Sequence, residues 1–252
     1  MSFLLPPDLR EPLAAARRVV VFTGAGVSAE SGLGTFRGAD GLWEKLRPED
    51  LATPQAFARD PERVTRWYLE RFEAMRRAEP NPAHRAIASW ERIFPSLLVV
   101  TQNIDRLHQR AGSTDVVELH GTLWVWLCQR CRREQPAEEL LPAPHELPMR
   151  CACGGALRPA VVWFGEALPQ TAFERASDES ARADLFLVVG TSGTVWPAAG
   201  LVEVASRGGA VVIEVNRERT PLSELASLVL EGSAGAVLPA LTEEIAAWRS
   251  PA

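Results

Sequence analysis

Apolar, β-branched runs recur along the chain at "RVVVFTGAG", "SLLVVTQN", "DVVELHG", "ALRPAVVWFGE", "DLFLVVGTS" and "AVVIEVN". Most are separated by segments that suit helices. Strands that are apolar at nearly every position, not at every second one, belong to a parallel sheet covered on both faces. The pattern therefore predicts an α/β fold. Several runs end in polar residues: Thr23, Thr101 to Asp105, His120, Gly190-Thr191-Ser192 and Asn216. Open α/β sheets bind ligands at the carboxyl ends of their strands, so these tails are expected to converge on one crevice.

Two regions fall outside this rhythm. Residues 41–80 hold no convincing strand, and "PERVTRWYLERFEAMRRA" from Pro61 reads as a helix with proline in its first turn. Residues 124–158 hold all four cysteines and little helical pattern. The expectation is a Rossmann-like domain from 1–40, 81–123 and 159–252, with 41–80 and 124–158 forming a small inserted domain. The helical insertion and the cysteine module would share it.

Composition narrows the function. With 46% hydrophobic and 23% charged residues the chain is an ordinary globular one, and its net charge of −5 argues against a general binder of nucleic acid or anionic membrane. "MSFLLPPDLREP" has no basic leader and early prolines, so neither a signal peptide nor a membrane anchor is expected and the predicted location is the cytoplasm.

Cys128-x2-Cys131 is followed by Cys151-x-Cys153 and Gly154-Gly155. Two thiolate pairs so spaced can close a tetrahedral Zn2+ site with no open position, which makes the metal structural. The alternatives are two disulfides, or four unrelated thiols; a cytoplasmic setting disfavours the first and the clustering disfavours the second. A nucleic-acid-binding ribbon is a functional rival, supported by Arg130, Arg132, Arg133 and Arg150 but diluted by Glu134, Glu138 and Glu139.

The first strand runs into Gly24-Ala25-Gly26, where missing side chains let backbone N–H groups approach a pyrophosphate. A dinucleotide fingerprint would continue into a helix; here the chain continues with Ser31-Gly32-Leu33-Gly34-Thr35-Phe36-Arg37-Gly38, too rich in glycine for one. Taken with "TQNIDRLH", "ELHG", the cysteine pairs, "RPAVVWFGE", "GTSGTVWPA", "IEVN" and "GSAGAVLP", this loop is similar to that of the sirtuins, the NAD-dependent protein lysine deacylases.

The resemblance implies NAD as co-substrate and acylated-lysine proteins or peptides as partners. Gly24, Ala25, Gly26 and Ser28 would lie at the phosphate turn, with Phe36 over the reacting ribose and Arg37 in reach of the phosphates. Gln102, Asn103, Ile104 and Asp105 would form the nicotinamide pocket, with Asn103 and Asp105 orienting ribose and carboxamide and His120 as general base. Gly190, Thr191 and Ser192, then Asn216, Arg217 and Glu218, and Ala234 would hold the adenosine half. Val161 to Glu166, with Val161, Phe164 and Gly165 as its binding residues, and Gly193 to Val195 would form the two edges between which the substrate peptide pairs as a strand. The products would be nicotinamide, free lysine and O-acyl-ADP-ribose. Tyr68 and Arg71, three apart on the predicted helix, match the Tyr-x-x-Arg pair of the subgroup that removes succinyl and malonyl groups. The rival readings are an ADP-ribosyltransferase with the same pocket, and a noncatalytic NAD-dependent binding module.

Overall fold

A computed structural model describes residues 5–35, 41, 46–140 and 146–249 of the chain. Its larger sheet holds β1 (Arg18–Thr23), β2 (Ser96–Thr101), β3 (Val116–Glu118), β7 (Leu185–Val189), β8 (Val211–Asn216) and β9 (Leu228–Glu231) in the order β3-β2-β1-β7-β8-β9. Every neighbouring pair is parallel. The chain fills one half from the centre outwards, then the other, so the order reverses between β1 and β7. That reversal opens the crevice where doubly wound sheets take dinucleotides.

The unbroken apolar character of β1 has a direct cause. Val19 and Val21 pack into one core with Leu13, Ile87 and Leu238, from the helices Pro7–Ala15, Pro82–Ser89 and Ala234–Arg249. Val20 and Phe22 pack on the opposite face with Ala176 and Leu201, from the helices Gln170–Ala181 and Gly200–Arg207. With both faces covered, no position from Val19 to Phe22 is left for a polar side chain.

A second sheet of three antiparallel strands holds β4 (Gly121–Cys128), β5 (Glu134–Pro136) and β6 (Leu157–Val161) in the order β5-β4-β6. The run "ALRPAVVWFGE" thus belongs here and not to the parallel sheet, which corrects the expectation from its apolar composition. It is apolar because β6 packs against the helix Pro61–Arg77 and the rest of a third core, with Leu157 and Val161 joining Phe72 and Trp126.

That helix starts where the sequence says it should. The Asp60 side chain accepts from the Arg63 N–H at 3.0 Å, Pro61 needs no donor in the first turn, and Arg76 and Arg77 meet the carbonyl end. Its inward stripe is Val64, Thr65, Tyr68, Phe72 and Met75. Tyr68 is therefore carried into the module's core by helix phase alone.

Candidate active site

At the crevice the two halves of the sheet touch through backbone. Gly24 N–H donates to Val189 O at 3.0 Å and Gly26 N–H to Gly190 O at 2.8 Å. A Cβ on Gly26 would lie 2.7 Å from Gly190 Cα, and one on Gly24 2.8 Å from Gly190 O, so neither position admits a side chain. From Ala25 to Ser31, ahead of the glycine-rich stretch, the chain makes a 3-10 helix; it stops at Gly32, whose φ is +82°. Phe36 and Arg37 lie outside the described residues.

A cleft of about 490 Å3 runs from this turn to the small module. Gly24, Ala25, Gly26, Gln102, Asn103, Ile104 and His120 line its middle. Gly190, Thr191, Ser192, Asn216, Arg217, Glu218 and Ala234 line one end. Tyr68, Arg71, Val161, Phe164 and Gly165 line the other. Ser28 and Asp105 do not line it: they lie just beneath, 2% and 4% exposed. Trp67 and Trp163 line the cleft beside Tyr68 and Arg71 without having been singled out individually from sequence, and Thr220 lines it as well.

The buried pair organises the floor. Ser28 Oγ donates to Asp105 Oδ2 at 2.7 Å, and Asp105 Oδ1 accepts the Leu107 N–H at 2.9 Å. Burial pushes the Asp105 carboxyl above its usual range, against the pull of those bonds. Asn103 Nδ2 gives its two hydrogens to Gly24 O at 3.1 Å and Ser28 Oγ at 3.2 Å. Its Oδ1 is the atom left for a ligand. Gln102 Nε2 donates to Thr191 Oγ1 at 2.9 Å and Asn216 Nδ2 to Thr191 O at 2.9 Å, so one threonine ties both sides of the cleft.

His120 comes out of β3 and faces the cleft. Its Nδ1 lies 3.0 Å from the Gln102 carbonyl oxygen, which can only accept, so Nδ1 carries the hydrogen and Nε2 keeps its lone pair. Burial pulls its pKa below the ordinary histidine value, opposed by the Gln102 carbonyl. The ring is neutral near pH 7 and able to take a proton.

Tyr68 and Arg71 both line the end of the cleft at the small module. The Arg71 guanidinium lies over the Trp67 ring, 5.1 Å from its centroid, and burial lowers its pKa while Tyr68 and Asp105 raise it. Tyr68 is 4% exposed, and burial raises its pKa far above neutrality, so the phenol keeps its hydrogen.

The four cysteines gather at the far side of the small module, none of them in the cleft. Their sulfurs all lie within 4.8 Å of one another, with Cys128 and Cys153 at 3.5 Å and Cys131 and Cys151 at 3.7 Å. All four are free thiols. Four sulfurs on tetrahedral Zn2+ stand a little under 4 Å apart, given Zn–S bonds of about 2.3 Å, so the cluster fits a structural zinc with no coordination position to spare. The N–H of Cys131, aimed at Cys128 Sγ from 3.5 Å, helps to pull that thiol down to about 6. A Cβ on Gly155 would come within 2.7 Å of the same sulfur.

Among the described residues no helix is long and apolar enough to cross a membrane. The model of the Sir2 family matches residues 24–197. A protein named NAD-dependent protein deacylase 2 from Pyrobaculum aerophilum is 51% identical over 242 residues, 94% of this chain and 95% of its own. One named NAD-dependent protein deacylase from Aquifex aeolicus is 52% identical over 83% of this chain and 87% of its own. A solved Sir2 homolog–NAD complex superimposes with a TM-score of 0.90 at 46% identity, covering 98% of this chain and 96% of its own. A Sir2–p53 peptide–NAD+ complex gives 0.82 at 35%, over 94% and 97%. The matched stretch carries β2 to β7, the cysteine cluster and His120, and the chain belongs to the Sir2 family.

Proposed function

We infer that the chain is an NAD-dependent protein lysine deacylase whose acyl pocket accepts acidic acyl groups as well as acetyl. The deacylase reading is supported by the relatives' names and by the NAD complex among the structural neighbours. A neighbour that holds a p53 peptide supports a protein or peptide substrate. The observation that carries the chemistry is His120, neutral and with a free Nε2 lone pair, facing a cleft at the sheet's reversal point.

Bound NAD supplies an ADP-ribosyl group that accepts the acyl chain, with nicotinamide as leaving group. The turn Gly24–Gly26, whose Gly24 and Gly26 amides are already spent on Val189 and Gly190, would lie against its pyrophosphate, with Asn216, Arg217 and Glu218 at its adenosine ribose and Ala234 near adenine. Asn103 Oδ1 orients the nicotinamide end, while Asp105 acts from beneath by fixing Ser28, which accepts from Asn103. His120 Nε2 takes the proton that ribose hydroxyls must lose before oxygen attacks the acyl carbon. Val161, Phe164 and Gly165 on one side and Gly193 to Val195 on the other flank a peptide lying as an extra strand. One water from solvent is consumed in releasing the amine, and nicotinamide, free lysine and O-acyl-ADP-ribose leave.

Acidic acyl groups are supported by Tyr68 and Arg71 at one end of the cleft. A carboxylate entering there exchanges its water for a guanidinium and a phenol, and charge-assisted bonds are worth about 1.5–3 kcal/mol each. The test is incubation with NAD and matched acetyl-, malonyl- and succinyl-lysine peptides, followed by mass spectrometry. O-acyl-ADP-ribose is expected from each. A mass gain on protein in its place would favour ADP-ribosyl transfer, and no turnover a binding module. Arg71→Met should lower the succinyl-to-acetyl ratio of kcat/KM at least about tenfold; an unchanged ratio removes Arg71 as the acyl reader.

A further inference from the structure

Beside Tyr68, Trp163 is held by its indole N–H, its backbone and its ring face. Its Nε1–H donates to the Tyr68 hydroxyl oxygen at 2.9 Å. The Arg158 guanidinium stacks on the indole, 3.3 Å from the ring centroid, and is itself 7% exposed. That guanidinium forks onto Glu166 at 2.6 and 2.9 Å, and Glu166 Oε2 also accepts the Trp163 backbone N–H at 2.8 Å. Phe57 packs on the indole at 5.4 Å between centroids. A ring held by a buried fork and a backbone clamp has one orientation, and its N–H has one target.

The direction of the Trp163–Tyr68 bond follows from the donors available. Indole nitrogen can only donate, whereas a phenol has one hydrogen to give and lone pairs with which to accept. Tyr68 therefore accepts from Trp163 and keeps its own hydrogen for something else. Among the described residues this is the phenol's only hydrogen bond. Burial holds that hydrogen in place by raising the pKa.

We propose that Trp163 is a positioning residue for acyl-group choice: by occupying a Tyr68 lone pair, its indole N–H commits the phenol to donate toward an acceptor-only acyl terminus such as a carboxylate. The proposal rests on the acidic-acyl reading above. A carboxylate accepts at every lone pair, while a terminal amide offers both hydrogens and a carbonyl and can face Tyr68 either way. Without the indole N–H the phenol is free to turn from donor to acceptor, and the discrimination between the two termini shrinks.

The experiment compares kcat/KM for a succinyl-lysine peptide and its uncharged succinamoyl isostere. It uses the full chain as wild type, Trp163→Phe, Tyr68→Phe and the double variant. Phenylalanine keeps a ring on Arg158 and removes only the N–H donor side. The expected result is a wild-type preference for the carboxylate. In Trp163→Phe that preference falls roughly three- to tenfold, through KM rather than kcat, and Trp163→Phe adds no further fall in the Tyr68→Phe background. A preference that survives Trp163→Phe overturns the proposal alone. So does an equal loss on both peptides, or the same fall with Tyr68 already gone. A wild-type enzyme without any preference for the carboxylate overturns the acidic-acyl reading, and the proposal with it.

Discussion

A single carbonyl decides what His120 can do. The Gln102 oxygen takes the Nδ1 hydrogen and leaves Nε2 basic. In the role proposed for it, His120 accepts a proton after NAD has docked, and His120→Ala removes that acceptor. Deacylation should therefore fall at least about a hundredfold, the usual scale of general base catalysis, while NAD affinity by calorimetry stays within a few-fold. Turnover near the parent's would take His120 out of that role. Because burial holds this histidine below its ordinary pKa, the neutral form persists as pH falls, and the acid limb of kcat/KM should lie below the usual histidine range.

At the scale of elements, the small module depends on side chains from two separate stretches of chain. Cys128 ends β4, while Cys151 lies one turn before β6, and the sulfurs meet only when β4 and β6 pair. Zinc bound there contributes folding energy to that pairing. Cys151→Ser should lose the metal by elemental analysis and lower Tm by several degrees, each kcal/mol lost being roughly 2–4 °C in a chain of this size. One zinc per chain with an unchanged melting curve would refute it. These elements also mark what could be read beforehand. The parallel strands were legible because burial on both faces leaves them apolar throughout. β4 was not: its burial alternates irregularly, and its pairing with β6 slips between Thr122 and Trp126. "ALRPAVVWFGE" was misplaced because an apolar run does not reveal which sheet buries it. Much of the cleft lining was recognisable from motifs. Trp163 was not singled out, because the hydroxyl it serves lies on a distant helix and no spacing reports that contact.

At the scale of the whole molecule, two buried histidines set a lower limit on pH. His84 and His108 meet edge-on with ring centroids 4.9 Å apart, His84 lying beside Ser28 of the glycine turn. Burial, with Arg85 adding repulsion, pulls His84 down to about 4, and burial beside His84 carries His108 well below the ordinary 6.5. Both stay neutral when folded, whereas the unfolded chain takes up protons as pH drops through 6.5. Stability is therefore complete above that value and declines as pH falls from there toward 4. At pH 5.5 each such group costs about 1.4 kcal/mol. Denaturant unfolding of wild type and His84→Gln at pH 7.5 and 5.5 should show the variant losing about 1.4 kcal/mol less between the two. Equal losses would mean that His84 does not set the limit.

The route of the chain through the two sheets bears on the order in which they form. After β1 the chain builds the helix Pro61–Arg77, returns to lay down β2 and β3, and only then reaches β4 and β6. The module's core, with Phe72 on one stretch and Trp126 on another, closes across that intervening excursion. A polymer pays for such a closure in lost freedom before any contact repays it, and pays less once the intervening strands are already docked. On a ribosome, the helix that carries Tyr68 and Arg71 thus emerges well before the strands it packs against. It waits with part of its apolar stripe, the part not met by Ala56 and Phe57, uncovered until the cysteine-bearing segment has been made.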